Sequence, residues 1–417
     1  MRRWPVVVGA ALLGLLPLTA PPAQAASPSR PGWQLAFLHA AQANRLSTGR
    51  GVVVGLVDSG VNAAHPDLAG QVLNGTDFPP AGTHGQRDIT GHGSLMAGLI
   101  AGTGDGVRSV RGLAPGAKIL PVRGGRTYFD IAEAADGVRW AADHGARVIN
   151  LSFGDAIELR SLAQAVAYAQ SKDVVVVAAA GNTNEGENEV TSPASLPGVV
   201  AVSAVDEKGA FPPKVSVSGK AVVLSAPGVD IIGPGKGTGY LKGSGTSAST
   251  ALVSATAALV RARYPKLDAA GVINRLITTA DDKGPKGRDP EYGFGIVDPV
   301  RALTATVPAV TTNPLLPAAP ATPSASPAPS SSASASPSDD SGAAPASDVA
   351  AASAAAAAAA AAVAATQPPG AAASAGATAG GAADGSSSAP AWALGGGAVV
   401  VLAALGAALL LRRSRRA

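Results

Sequence analysis

The run Gly51-Val-Val-Val-Gly-Leu-Val57 narrows the fold more than any other stretch of this chain. It is apolar and β-branched without alternation, the pattern of a strand covered on both faces, and such strands belong to parallel sheets flanked by helices. Asp173-Val-Val-Val-Val-Ala-Ala-Ala-Gly-Asn182 repeats it. Further strands are expected over 118–122, 147–154, 199–204 and 221–226, with helical spacing over 95–101, 131–144 and 159–172. This alternation predicts an α/β fold, a parallel sheet with helices on both faces. Residues 61–88, polar and rich in Gly, Pro and Asn, read as loop.

The two ends have a different character. Met1-Arg-Arg is a basic start, an apolar run over 6–18 follows, and Ala23-Gln24-Ala25 is a small-x-small cleavage pattern, so 1–25 is expected to be a secretory signal peptide. Residues 26–50 form a short N-terminal extension, since chains below about 40 residues rarely sustain a fold of their own. The globular domain is placed at 51–305. Residues 306–391 are almost entirely Ala, Ser, Pro, Thr and Gly, too poor in large apolar side chains to bury a core, which predicts a disordered stalk. The uncharged run 393–411 would rise roughly 28 Å as a helix, enough to cross a bilayer. With Trp392 at the outer interface, 392–411 is expected to be a transmembrane helix and the arginine-rich 412–417 a cytoplasmic tail, leaving the domain outside the cell.

Composition removes several function classes. Charged residues make up 14% of the chain, the net charge is +4, and no basic run interleaved with aromatics lies inside the domain, so nucleic acid is not an expected partner. Cysteine is absent, which excludes disulfides, a thiol nucleophile and thiolate metal sites.

One stretch offers a candidate hydroxyl nucleophile. Gly243-Ser-Gly-Thr-Ser-Ala-Ser-Thr250 leads into small and apolar residues that read as a buried helix ending before Pro265. Ser247 then lies near a helix N-terminus, where free N–H groups and the helix dipole favour developing negative charge. A serine hydroxyl needs a base, and the base works best when a carboxylate orients it. Asp58 directly follows the first strand, and His92, in Thr90-Gly-His-Gly-Ser94, opens a helix. All five histidines precede Ser247, and Gly245-Thr-Ser-Ala-Ser249 lacks a final glycine, so the order and motif of an α/β-hydrolase do not fit. No His-Glu-x-x-His is present for a zinc hydrolase.

Val57-Asp58-Ser-Gly, Gly91-His92-Gly93-Ser94, Ala180-Gly-Asn182 and Gly245-Thr-Ser247-Ala together resemble the four signature blocks of the subtilisin-like serine proteases, the subtilases. The resemblance implies Ser247 as nucleophile, His92 as general base and then acid, Asp58 as the orienting carboxylate and Asn182 as a side-chain donor to the oxyanion. It further implies that Ser152, Phe153 and Gly154 pair with an extended substrate backbone, with Gly124 and Gly125 as the opposite lip. Arg123 and Arg126 are further candidates for shaping preference. Two departures stand out: Ser94 replaces the usual Thr, and Ala248-Ser-Thr-Ala251 lacks the usual proline early in the nucleophile helix.

The order of signal peptide, peptidase domain, stalk and single anchor is similar to that of the mycosins, membrane-anchored subtilases of type VII secretion. This implies polypeptide substrates, membrane attachment through the C-terminal helix and secretion-complex partners. Calcium is common in the family, but no ligand set for it can be assigned here, and no cofactor is expected. The competing expectation is a non-catalytic structural subunit built on the same fold.

Overall fold

The computed structural model describes residues 32–125 and 129–317. The signal peptide, the transmembrane helix, the basic tail and most of the stalk therefore lie outside the described residues. Two short helices, α1 (Trp33–Phe37) and α2 (Ala40–Leu46), precede β1 (Val53–Asp58). Then follow β2 (Thr76–Phe78), α3 (His92–Ala101), β3 (Lys118–Gly124), α4 (Ile131–Asp143), β4 (Val148–Leu151), α5 (Arg160–Ser171), β5 (Val175–Ala179), β6 (Val200–Val205) and β7 (Leu224–Pro227). A hairpin, β8 (Ile231–Pro234) and β9 (Tyr240–Gly243), leads into α6 (Thr246–Arg263), α7 (Ala269–Thr278) and α8 (Pro299–Thr304).

The seven strands β1 to β7 form one parallel sheet in the order β2-β3-β1-β4-β5-β6-β7. β3 and β4 flank β1 on opposite sides, so the order reverses there. Crevices at such reversals, at the carboxyl ends of the strands, are where open α/β sheets take ligands.

Side-chain alternation along β1 decides which layer each residue meets. A Cβ at Gly55 would lie 3.0 Å from Ala141 of α4, so that face of the strand is covered by α4. Asn150, paired with Leu56, accepts a hydrogen bond from Ser254 of α6 at 3.0 Å, so the opposite face is covered by α6. Asp58, in step with Leu56, projects toward the α6 side. α6 is buried along nearly its whole length, which its small residues permit.

Three expectations need amendment. The 61–88 loop contains β2, which pairs with β3 through Thr76↔Val122 to Phe78↔Gly124; a three-residue edge strand has no apolar run to announce it. The extension is not separable from the domain: Leu38 and Ala43 lie in the main core, and Ser47 donates to the Leu259 carbonyl of α6 at 2.8 Å. At the other end the domain continues past 305, because Asn313 donates to the Gly198 carbonyl at 2.9 Å and Leu315 packs on the core. Among the described residues no helix is long and apolar enough to cross a membrane.

Candidate active site

Asp58 is 4% exposed and ends β1; His92 is the first residue of α3. Their contact depends on close backbone approach. A Cβ at Gly93 would sit 2.0 Å from the Gly60 carbonyl oxygen, so only glycine lets the start of α3 come this near the loop after β1. His92 Nδ1 then lies 2.8 and 3.0 Å from the two Asp58 oxygens, as a donor to the carboxylate. Ser59 donates its backbone N–H to the same carboxylate at 2.7 Å.

Asp88, overlooked in the sequence, holds this corner together. Its carboxylate accepts from the backbone of Thr90, Gly91 and Ser94 and from the hydroxyls of Ser59 and Ser94, at 2.6–3.0 Å. It thereby satisfies free N–H groups at the start of α3 that no helical carbonyl reaches. The Ser94 hydroxyl also accepts from Asn62 N–H at 2.8 Å, so the Thr-to-Ser departure keeps the polar contact.

The electrostatics favour protonated His92. Loss of water around the ring favours its neutral form, but Asp58, with Asp88 and Glu185 beyond it, outweighs this and raises the pKa above the ordinary value of 6.5. The side chain remains 39% exposed, against 5% for Asp58, so the ring is open to solvent on the side away from the carboxylate.

Ser247 is the second residue of α6. Its backbone N–H belongs to the first turn and has no helical acceptor. Its hydroxyl donates to the Ser152 carbonyl at 3.1 Å, and no hydrogen bond among the described residues joins it to His92. The start of α6 is tied to the end of β4 by buried polar groups: Ser152 Oγ donates to the Ser247 carbonyl at 3.0 Å and accepts from Asn150 Nδ2 at 2.9 Å, and Asn150 Oδ1 accepts from Ser254.

Asn182 follows β5 and caps α6. Its Oδ1 accepts from the Thr246 N–H at 2.8 Å and lies 3.0 Å from the Thr246 hydroxyl. These donors fix the amide orientation and leave Nδ2 as the outward group. Nδ2 donates to Glu185 at 3.2 Å.

His92, Ser152, Phe153, Gly154, Asn182 and Ser247 line one cavity of about 260 Å³ with Glu185 and Glu187. Gly124 and Gly125 are not in its wall. Gly124 ends β3 and Gly125 follows it; Phe129 packs against the place a Gly124 side chain would fill and meets Phe153 at a tilt, ring centroids 4.6 Å apart. Arg123 is corrected as a specificity candidate: it is 3% exposed and its Nε lies 3.0 Å from Asp77. Arg126 lies outside the described residues. A larger pocket of about 500 Å³, lined by Trp33, Asp206 and Lys242 among others, contains none of the expected site residues. Among the described residues no group of three or more His, Cys, Asp or Glu is placed to hold a metal ion.

A serine at a helix N-terminus and an amide donor thus line one cavity with a histidine that is paired to an aspartate. The Peptidase S8 model, the subtilase family, matches residues 49–295, more than half of the chain. The chain belongs to the subtilase family. It is thus a serine-type endopeptidase by family. It is 35% identical over 273 residues to a thermostable alkaline protease of Halalkalibacterium halodurans, spanning 65% of this chain and 73% of that one. Subtilisin DY of Bacillus licheniformis is 36% identical over 257 residues, 60% of this chain and 90% of its own. Among solved structures, MycP1 from the ESX-1 type VII secretion system superposes with a TM-score of 0.62 at 30% identity, covering 72% of this chain and 91% of that one. MycP1 from Mycobacterium smegmatis gives 0.60 at 31% identity, covering 70% and 88%.

Proposed function

We propose that this subtilase cleaves secreted or cell-surface polypeptides through Ser247, His92 and Asp58. The observation that supports this most is the Asp58–His92 contact at 2.8 Å on the cavity that Ser247 also lines. In this reading a substrate displaces the Ser247 hydroxyl from the Ser152 carbonyl, and a χ1 rotation between staggered wells turns it to His92. His92 takes the proton as Oγ attacks the scissile carbonyl and returns it to the leaving amine. Asp58 stabilises the imidazolium throughout. The Ser247 N–H and Asn182 Nδ2 receive the oxyanion, and water, deprotonated by His92, releases the acyl group. Ser152 to Gly154 offers its backbone to the substrate as an added strand, with Gly124 and Gly125 opposite. Side chains and backbone handle every proton and charge in this cycle, so the reading calls on no cofactor.

Residues 1–25 as signal peptide and 392–411 as anchor would place the domain outside a cell membrane, and the likeness to MycP1 supports a role beside a type VII secretion system. The test is Ser247→Ala in the full chain, with labelling by a fluorophosphonate. Loss of labelling and of peptide turnover, with an unchanged melting temperature, is expected; turnover at the parent rate overturns the reading. A non-catalytic structural subunit is the second reading, and the Ser247 hydroxyl's bond to Ser152 is the observation in its favour. Secretion restored by Ser247→Ala in cells lacking the protein would establish it.

A further inference from the structure

The cavity beside Ser247 carries two carboxylates that the cycle above does not use. Glu187 is half-buried on its wall, where one oxygen accepts the Asn182 backbone N–H and the other lies 3.5 Å from the Thr191 hydroxyl. Glu185 is more exposed, and its Oε2 accepts from Asn182 Nδ2 at 3.2 Å. Neither has a basic partner among the described residues, whose ion pairs all lie elsewhere. The space in front of them is kept open by missing side chains. A Cβ at Gly154 would lie 3.5 Å from Glu187 Oε1 and 2.4 Å from Thr191 Oγ1; one at Gly181 would lie 3.0 Å from Glu187 Oε2. The walls are thus the 152–154 segment and the 179–187 segment, with Ser247 at the mouth.

If Ser247 Oγ attacks a carbonyl whose oxygen points at Asn182 Nδ2, the side chain of that same residue has this cavity as its nearest free volume. We infer that the cavity receives a lysine or arginine side chain, and that Glu185 and Glu187 make the protein select substrates with a basic residue immediately before the scissile bond. This rests on the peptidase reading and names its substrate class.

Two physical effects favour that choice. A neutral side chain entering the cavity strips water from two carboxylates and gives them nothing, whereas an ammonium or guanidinium pairs with them. The second effect falls on the chemical step. Glu185 sits on the donor meant for the oxyanion, and a carboxylate there repels the charge that develops in the transition state. A substrate cation neutralises it and draws it off Nδ2, freeing the amide for the oxyanion. Selection should therefore appear in kcat as well as in KM, since the contact that changes is one made to the transition state.

The experiment uses the purified full chain with peptides that vary only at the residue before the cleaved bond, alongside fluorophosphonate titration of Ser247. Lysine and arginine peptides should exceed alanine, leucine and glutamate peptides by about tenfold or more in kcat/KM. Glu185→Gln and Glu187→Gln should each shrink that ratio, and the double variant should abolish it while full fluorophosphonate labelling shows an intact nucleophile. Glu185→Lys, at an exposed position, should move preference toward an acidic residue. Normal labelling with an alanine or leucine preference that none of these variants alters overturns the inference and leaves the peptidase reading standing. No labelling and no cleavage of any peptide by the parent protein overturns both.

Discussion

The two helix N-termini that meet at this cavity are held in opposite ways. At α3, His92 is latched: Nδ1 is on Asp58, and Asp88 secures the turn from five donors. At α6, the scaffold is fixed through Asn182, Thr246 and the Asn150–Ser152–Ser254 chain, while the Ser247 hydroxyl rests on a carbonyl and Asn182 Nδ2 rests on a glutamate. The imidazole is organised in advance, whereas the Ser247 hydroxyl and the Asn182 amide are parked. Two carboxylates hold the first half together without a substrate, through charge-assisted hydrogen bonds from an imidazole, backbone N–H groups and hydroxyls, whereas a neutral hydroxyl and amide settle on the nearest acceptor until a better one arrives.

The comparison can be broken first at its latched half. Asp58→Asn keeps the shape of the side chain but removes the charge that sets the His92 tautomer, and kcat should fall by about 10⁴-fold. A fall of under tenfold would mean that Asp58 only fills space. At the parked half, Asn182→Ala removes a donor and a helix cap together, and kcat should fall by about 10²–10³-fold, with a drop in melting temperature from the lost Thr246 contact. An unchanged kcat would remove Asn182 from the oxyanion site.

A smaller effect tests Asp88. Asp88→Asn should cost about 1–2 kcal/mol of stability in denaturant titration, because several backbone donors lose a charged acceptor at a partly exposed site. It should also lower activity, through looser placement of His92. Unchanged stability would show that the turn holds itself.

The finest test is of pH. His92 must be neutral to accept the Ser247 proton, and its pKa is raised, so activity should climb with pH along a limb lying above 6.5. Stability from the Asp58–His92 pair runs the other way: it is fully present below the unfolded imidazole value and fades as pH rises through the folded one. Glu185→Gln removes one of the charges that raise the pKa, so its limb in kcat/KM should move to lower pH. An unmoved limb would place Glu185 out of electrical reach of His92.

By itself the sequence determined the layered α/β fold and the element ends that carry Asp58, His92 and Ser247, because strand and helix periodicities, and the glycines beside them, are local signals. Even the helix lacking its expected proline was legible from its small residues, and it runs unbroken over Thr246–Arg263. Tertiary structure alone decided the rest. β2 exists only by pairing with β3, and the Asn150–Ser254 bond joins residues 104 positions apart. The direction of the Asn182 amide was set by Thr246, 64 positions away, and the facing of Glu185 and Glu187 into the cavity by how β5 ends beside α6. Such contacts have no period and no fixed spacing, since they follow from where the chain returns to itself after folding.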